Sequence, residues 1–384
     1  MTRRPGALAT VLMLAGCTSW FAAEDTSEPP TELMPVDAQV RVEEVWSADV
    51  GAGSDDRGLN LVPALGEGRV FAAGPEGELR AVELSSGRRL WRVDTKAAIS
   101  GGPGVGEGLA VVGTIDGRVL AFRAADGEPA WEARVSSEVL SVPRAGSGVV
   151  AVRTIDGRLA GLDASNGERR WVYDRSTPTL SLRGTSSPVF AGAVVVSGFD
   201  DGQVVALSAD DGRVLWERRI AVPHGRSELE RMVDVDADPV VSGNAVFAAS
   251  YQGQIAALGL DTGRVQWSRE LSVHRAVASS GRALYATDDS GQVWGVDPAS
   301  GSSLWKQDKL KWRSVSGPAV VGDHVVVGDF EGYLHWLSAR DGTLVGRVRA
   351  ASKAISAAPV AAEDMVIALS EDGRLAAFRA SQTR

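Results

Sequence analysis

The chain is organised around one repeated unit, seen most clearly in Asp201-Asp-Gly-Gln-Val-Val-Ala-Leu-Ser-Ala-Asp-Asp-Gly-Arg-Val-Leu-Trp216. It contains two Asp-Gly pairs, at Gly202 and Gly212, with strand-forming residues between them, and it ends on a tryptophan. An Asp-Gly pair between apolar runs favours a tight hairpin turn of type I′, because glycine adopts a positive φ without steric cost. The stretch therefore predicts three antiparallel strands joined by two tight turns.

The same unit recurs along the chain with a period of about forty residues, which is typical of a β-propeller blade with four short strands. The first turn glycine recurs eight times, at Gly77, Gly117, Gly157, Gly202, Gly253, Gly291, Gly332 and Gly373. A tryptophan closes six copies, at Trp91, Trp131, Trp171, Trp216, Trp267 and Trp305, whereas Gly346 stands in that position of the seventh. The sequence predicts an all-β fold, an eight-bladed β-propeller of four-stranded antiparallel blades.

The eighth copy is incomplete, because the chain ends at Arg384 before its fourth strand. Near the other end, Val42-Glu-Glu-Val-Trp46 resembles that missing strand. An N-terminal strand that completes the last blade would close the ring and leave no open edge between first and last blades. We therefore expect Trp46 to belong to blade eight, and the tryptophans to pack between blades.

The first residues are typical of a bacterial lipoprotein signal peptide. Arg3 and Arg4 precede a short apolar run that ends in Leu14-Ala-Gly-Cys17, and Cys17 is the only cysteine of the chain. Small residues that run into a cysteine resemble a lipobox, and this resemblance implies cleavage before Cys17 and acylation of that residue. An ordinary signal peptide with an incidental cysteine is the alternative. Thr18 resembles the sorting position of lipoproteins destined for the outer membrane.

We divide the chain into a signal peptide at residues 1–16, a lipidated flexible tether at residues 17–40 and a propeller at residues 41–384. The tether is rich in Glu, Asp, Thr, Ser and Pro, so that it has too little apolar surface to fold. The net charge of −9 comes without a basic run, which argues against nucleic acid as a partner.

Two neighbouring connections between blades are longer than most of the others. They follow Trp171 and Trp216, and because they occupy the same point of the repeat they should emerge side by side on one face. The first holds Leu180 and Leu182 beside Arg183, with apolar residues and a charge as in protein interfaces. The alternative is that the leucines fold back over the blade edges and the charges simply face water.

The second connection holds Asp234, Asp236 and Asp238, which have the spacing that begins a calcium-binding loop. Pro239 stands where that loop needs glycine, and alanine stands where its closing glutamate belongs, so we assign no metal site. The histidines have no ligand-like spacing and no serine or cysteine lies in a nucleophile motif. We therefore expect no catalytic residue and no cofactor.

The chain resembles the BamB family, lipoproteins of the outer-membrane β-barrel assembly machinery, over nearly its whole length. The resemblance lies in the lipobox, the eight repeats, Leu180-Ser-Leu182-Arg183-Gly184, Asp234-Val-Asp236 and Gly328-Asp-Phe-Glu-Gly-Tyr-Leu-His-Trp336. It implies a scaffold at the periplasmic face of the outer membrane that binds a POTRA domain of the insertase BamA. The residues it implies for this contact are Leu180, Leu182, Arg183, Asp234 and Asp236.

The rival function is that of a quinoprotein dehydrogenase, because the repeats also resemble those of the quinoprotein propellers. That resemblance implies long insertions around a quinone, a calcium site and often a pair of adjacent cysteines, none of which the sequence shows. A further expected partner of the scaffold is the unfolded outer-membrane protein, which could pair with an exposed blade edge by β-augmentation.

Overall fold

The computed structural model of the protein describes residues 28–51, 53, 59–178, 180–182 and 186–383. Cys17 and Arg183 lie outside the described residues. The described residues form eight β-sheets, and each is one blade of a propeller. No helix long and apolar enough to cross a membrane occurs in this part of the chain.

Each blade has four antiparallel strands, which follow one another in sequence in blades 1 to 7, and its first strand lies at the centre of the ring. Two strands, β1 (Val40–Asp49) and β2 (Asn60–Leu61), come before the first blade. The strands of blades 1 to 4 are β3 (Ala64–Gly66), β4 (Arg69–Ala73), β5 (Glu78–Glu83), β6 (Arg89–Asp94), β7 (Ile99–Gly106), β8 (Leu109–Thr114), β9 (Arg118–Arg123), β10 (Pro129–Arg134), β11 (Arg144–Gly146), β12 (Val149–Arg153), β13 (Arg158–Asp163), β14 (Arg169–Asp174), β15 (Val189–Ala191), β16 (Val194–Gly198), β17 (Gln203–Ser208) and β18 (Val214–Arg219).

The remaining blades repeat this pattern. The strands of blades 5 to 8 are β19 (Val240–Ser242), β20 (Ala245–Ala249), β21 (Gln254–Gly259), β22 (Val265–Glu270), β23 (Val277–Ser279), β24 (Leu284–Thr287), β25 (Val293–Val296), β26 (Ser303–Gln307), β27 (Ala319–Val321), β28 (His324–Gly328), β29 (Tyr333–Ser338), β30 (Leu344–Arg349), β31 (Val360–Ala362), β32 (Met365–Leu369) and β33 (Arg374–Gln382). The second and third strands are almost completely buried, because neighbouring blades cover both their faces.

The ring closes as the sequence predicts. Strand β1 pairs antiparallel with β33 as the fourth strand of blade 8, and Trp46 is 7% exposed. One pairing was not expected: β2 joins blade 2 as a parallel strand beside β7. Before blade 1 begins, the chain has therefore formed backbone hydrogen bonds with both blade 8 and blade 2.

The turns differ in type from the sequence-based prediction. Gly202 and Gly212 have positive φ angles of 78° and 70°, but neither Asp201 nor Asp211 does. A type I′ turn requires positive φ at both central residues, so these loops, at residues 199–202 and 209–213, are longer turns with one left-handed residue. Glycine takes that single position because it has no Cβ.

The tryptophans join each blade to the next. A Cβ on Gly263, the second turn glycine of blade 5, would lie 2.6 Å from the ring of Trp216. The indole Nε1 of Trp216 also donates to the carbonyl oxygen of Leu260, at 2.6 Å. The seven pairs of tryptophan and turn glycine are Trp46–Gly87, Trp91–Gly127, Trp131–Gly167, Trp171–Gly212, Trp216–Gly263, Trp267–Gly301 and Trp305–Gly342. The prediction that tryptophans pack between blades is confirmed.

Residues 28–39, which the sequence assigns to the tether, lie against blades 6 and 7. The backbone N–H of Thr31 donates to the Lys311 carbonyl at 3.0 Å, and that of Gln39 donates to the Val345 carbonyl at 2.9 Å. Leu33 packs against the core between these blades. The polar composition of this segment did not predict its contact with the propeller, because the contacts described here come from backbone groups and from one leucine. The boundary of the folded part is therefore earlier than residue 41.

Because the strands of a blade alternate in direction, two sets of connections open on the same face of the ring. These are the connections from each fourth strand to the next blade and the turns between second and third strands. We call this the loop face. Both enlarged connections found in the sequence lie on it.

Candidate functional site

The two enlarged connections span residues 175–188, between β14 and β15, and residues 220–239, between β18 and β19. Hydrogen bonds join them directly. The backbone N–H of Leu182 donates to the carboxylate of Asp234. The backbone N–H of Ser187 donates to Asp238 Oδ1 at 2.6 Å, and Asp238 also pairs with Arg144 at 3.3 Å. The sequence placed these loops side by side, and the structure shows that the second holds the first.

The leucines of the first connection differ in exposure. Leu180 is 43% exposed, whereas Leu182 is half-buried. The second connection adds Val222, 66% exposed, and Leu229, 60% exposed. We call Leu180, Leu182, Val222 and Leu229 the apolar patch. Sequence reasoning missed Val222 and Leu229, although both are large apolar residues in a segment that is otherwise polar.

The segment that carries Leu229 is ordered by a capping box. Ser227 Oγ accepts the backbone N–H of Glu230 at 3.2 Å, and Glu230 Oε2 accepts the backbone N–H of Ser227 at 3.1 Å. Backbone N–H donors from Arg226 and Ser227 lower the pKa of Glu230. The box closes a single turn and does not continue into a helix, and Leu229 lies within that turn.

Asp234 lies beneath the first connection and is completely buried. Burial raises its pKa to about 7, the hydrogen bond from Leu182 opposes that shift, and the nearby Asp200 adds to it. Asp234 Oδ1 has no hydrogen-bond partner among the described residues. The side chain therefore supports the loop from below, and it is not exposed to a partner in this conformation.

Asp236 lies next to Asp234 and reaches the wall of the central cavity. Part of the residue is exposed to that cavity, but its Oδ1 atom is buried without a partner among the described residues. Burial, together with the charge of Asp234, raises the pKa of Asp236 well above its ordinary value. Because both pKa values are raised, it is costly for the two neighbouring carboxyls to be ionised together at neutral pH. The carboxyls of an exposed acidic patch would not carry this cost.

A buried ion pair lies behind the two aspartates. Arg153 is 0% exposed and pairs with Asp200, and its guanidinium lies 4.9 Å from the ring centre of Phe199. Arg153 favours the charged form of Asp234 and Asp236, whereas Asp200 disfavours it. Separating Arg153 from Asp200 would leave a buried charge unpaired, which is costly. The pair therefore favours one fixed arrangement behind the two aspartates.

The central cavity has a volume of about 670 Å³. Aliphatic residues of the first strands line most of it, together with Arg144, Asp236, Asp238, His274 and Arg275. Burial lowers the pKa of Arg275. No group of three or more His, Cys, Asp or Glu residues within the described ranges is arranged to hold a metal ion. Asp234 contacts the first connection, Asp236 reaches the cavity wall and Asp238 does both, so that the sequence spacing of a calcium loop does not produce a metal site among the described residues.

A family model described as "Outer membrane protein assembly factor BamB" matches residues 75–307 and 295–384. A relative from Alkalilimnicola ehrlichii with that name is 51% identical over 373 residues, which cover 97% of this chain and 96% of the relative. The crystal structure of BamB from Moraxella catarrhalis superimposes with a TM-score of 0.80 at 27% identity, and covers 88% of this chain and 100% of that one.

The propeller is also similar to a quinohemoprotein alcohol dehydrogenase from Comamonas testosteroni, with a TM-score of 0.72 at 14% identity over 89% of this chain and 78% of that one. A likeness at that identity concerns the fold alone. The family model and the 51% identical relative, by contrast, match most of the chain at the level of sequence, and they identify one family. This chain belongs to the BamB family of outer membrane protein assembly factors.

Proposed function

We propose that this protein is a non-catalytic scaffold of the outer-membrane protein assembly machinery, and that it docks on a POTRA domain of a BamA-type insertase through the apolar patch. The names of its relatives support the role in assembly. The observation that carries the docking proposal is the hydrogen bond from Leu182 to Asp234, because it fixes a loop that presents Leu180 to solvent. Exposed apolar side chains on a rigid support are typical anchors of protein interfaces.

Leu180, Leu182 and Arg183 form the proposed contact, and Val222 and Leu229 extend it. Arg183 would supply a charge that favours one orientation of the partner. The resemblance implies that Asp234 and Asp236 contact the partner, but Asp234 is buried in this structure. We propose that both aspartates position the loop and influence docking through it.

The same scaffold would be held at the periplasmic face of the outer membrane by acyl chains on Cys17. A single acyl chain gives only marginal membrane binding, so several chains on one residue are needed for stable anchoring. The role at the membrane implied by the relatives' names supports this location.

Unfolded outer-membrane proteins are a second proposed partner, at the outer strands of the blades. Leu90, Leu215 and Leu304 directly precede a buried tryptophan on these strands and are 36%, 39% and 50% exposed. Apolar residues on an edge strand favour the addition of another strand. Charged residues interrupt the same edges, so any such pairing would be short and reversible.

The docking proposal is tested by titrating the protein with the purified POTRA domains of its insertase. Leu180→Ala should weaken binding by about 1–2 kcal/mol, and Arg183→Glu by more, because it reverses a charge in the contact. Leu215→Ala is a matched control, since this leucine has similar exposure on the outer strand of blade 4. Wild-type affinity in a folded Leu180→Ala, Leu182→Ala, Arg183→Glu variant would reject the proposed contact.

A further inference from the structure

The loop face carries a second exposed apolar feature, far along the chain from the apolar patch. Trp312, in the connection between β26 and β27, is 41% exposed, and Phe330, in the turn between β28 and β29, is 39% exposed. The Phe330 backbone N–H donates to the Arg313 carbonyl at 3.2 Å, so Phe330 lies against the residue that directly follows Trp312.

Both aromatic residues stand on a rigid base. Arg313 is 3% exposed, its Nε donates to Asp329 Oδ2 at 2.9 Å, and its guanidinium lies 4.9 Å from the ring centre of Phe330. His335 Nε2 contacts the same carboxylate oxygen at 3.0 Å. Trp312 itself has a φ of 60°, a conformation that is costly for a bulky residue, while its N–H donates to the Ser290 carbonyl at 2.8 Å. The fold thus holds a large aromatic side chain outward at some cost.

Three lysines are close to Trp312 in the sequence, and a fourth adjoins the turn that holds Phe330. The chain has five lysines, and Lys306, Lys309 and Lys311 precede Trp312 within a few residues. A Cβ on Gly332, in the same turn as Phe330, would lie 2.6 Å from the Lys353 carbonyl oxygen, so Lys353 adjoins this turn. Glu331, the acidic residue next to Phe330, is paired with Arg313. We call Trp312, Phe330, Lys309, Lys311 and Lys353 the aromatic–lysine patch.

The N-terminal segment reaches this patch. Thr31 exchanges two hydrogen bonds with it: its N–H donates to the Lys311 carbonyl, and its carbonyl accepts from Arg313 Nη1, each at 3.0 Å. Ten residues, 18–27, separate Cys17 from the first described residue. At ~3.3–3.6 Å per residue they can span at most about 35 Å. An acyl anchor on Cys17 would therefore limit how far the patch can move away from the membrane surface.

We propose that the aromatic–lysine patch is a membrane contact that lies on phospholipid headgroups of the leaflet that holds the anchor. This inference rests on the lipid anchor of the proposed function. The amphipathic indole ring of Trp312 favours the headgroup region, and Phe330 adds apolar surface that can enter the acyl boundary. Lysines are attracted to anionic lipids while their stems remain near that boundary. The contact would fix the tilt of the propeller on the membrane, whereas the anchor alone would fix only its distance.

The lipidated full-length protein on vesicles of phosphatidylethanolamine and phosphatidylglycerol tests this proposal. Ser314→Cys places a fluorophore beside Trp312, and Ser165→Cys places one on the opposite face, in the turn between β13 and β14; both serines are exposed. Lipids with spin labels at their headgroups should quench the fluorophore at residue 314 several-fold more than that at residue 165. Adding Trp312→Ser and Phe330→Ser should remove the difference, and omitting phosphatidylglycerol should reduce it.

Each other outcome counts against a specific claim. Flotation of the protein with vesicles but equal quenching at the two positions overturns the membrane contact and leaves the anchor in place. Failure to float overturns both. If the signal of the fluorophore at residue 314 differs from that at residue 165 only when the insertase is present, the patch contacts a protein partner, and the proposal is overturned. Because no insertase is needed for the quenching, loss of POTRA binding would have no bearing on it.

Discussion

Val40 packs on Gly346, at the place where the repeat predicts a tryptophan. A Cβ at residue 346 would lie 2.7 Å from Val40 Cγ2. In the other blades the tryptophan lies on the turn between third and fourth strands of the next blade. Blade 8 has no such turn, because its third and fourth strands, β33 and β1, come from opposite ends of the chain. No turn glycine receives an indole there, and the start of β1 fills the space.

Gly346→Val should destabilise the propeller by about 1–3 kcal/mol, because it forces extra atoms into a packed site. Val40→Ala in the same chain should restore part of that loss by making room for them. Denaturant unfolding of the single and double variants measures this coupling. Strictly additive effects would show that residues 40 and 346 do not share the site.

Trp46→Ala should destabilise the protein by about 3–5 kcal/mol, since it empties a buried tryptophan site at the ring closure. It also removes the hydrogen bond from the indole to the Leu84 carbonyl, at 2.8 Å. Trp312→Ala is the matched control and should have a small effect, because that side chain is 41% exposed. Equal unfolding midpoints for the two variants would contradict the closure described above.

Asp234→Asn should make stability less dependent on pH. The pKa of Asp234 is about 7 in the folded protein and 3.8 for an ordinary aspartate. The folded state therefore keeps the proton to higher pH than the unfolded state, and stability falls as pH rises from about 4 to 7, by up to about 4 kcal/mol for this group alone. Arg153, Asp200 and Asp236 face this carboxyl and modulate the loss.

Thermal unfolding between about pH 4 and pH 8 checks this expectation, because the charge on Asp234 changes within that range. As the pH rises, the melting temperature of the wild type should fall relative to that of Asp234→Asn. The amide oxygen of the asparagine can still accept the Leu182 N–H. Asp341→Asn is the control, since hydrogen bonds, foremost from the Thr343 N–H, lower the pKa of Asp341 to about 2. Its stabilising contribution is lost only below about pH 4, so parallel curves are expected above that. Curves for Asp234→Asn parallel to the wild type would show that residue 234 does not titrate in this range.

Cys17→Ser should abolish acylation, because serine offers no thiol for the acyl transfer that a lipobox directs. Metabolic labelling with a fatty acid, followed by membrane fractionation, measures the result. The variant should be unlabelled, whereas a Thr18→Ser control should label like the wild type. Labelling of Cys17→Ser at the wild-type level would remove the anchor from the proposed function.

The number of blades and the place of ring closure could be predicted from the sequence alone. Glycines and tryptophans at fixed spacing could specify these features because each acts locally or at one repeated contact, as Trp216 does on Gly263. The lengths of the connections were likewise visible before any contact was known.

Which side chains of the candidate site face solvent could not be predicted from the sequence, because it depends on contacts between distant segments. Asp234 looks like a surface charge in the sequence, yet it is buried beneath Leu182 because its carboxylate accepts a backbone N–H from a loop some fifty positions earlier. Likewise, Thr31 is held against the propeller by a backbone hydrogen bond to Lys311, and amino-acid composition carries no information on such backbone contacts. Trp312 is the same residue type as the buried tryptophans of the blades, but it lies outside the repeat and is 41% exposed. Burial depends on long-range packing, and the local pattern of residues does not encode it.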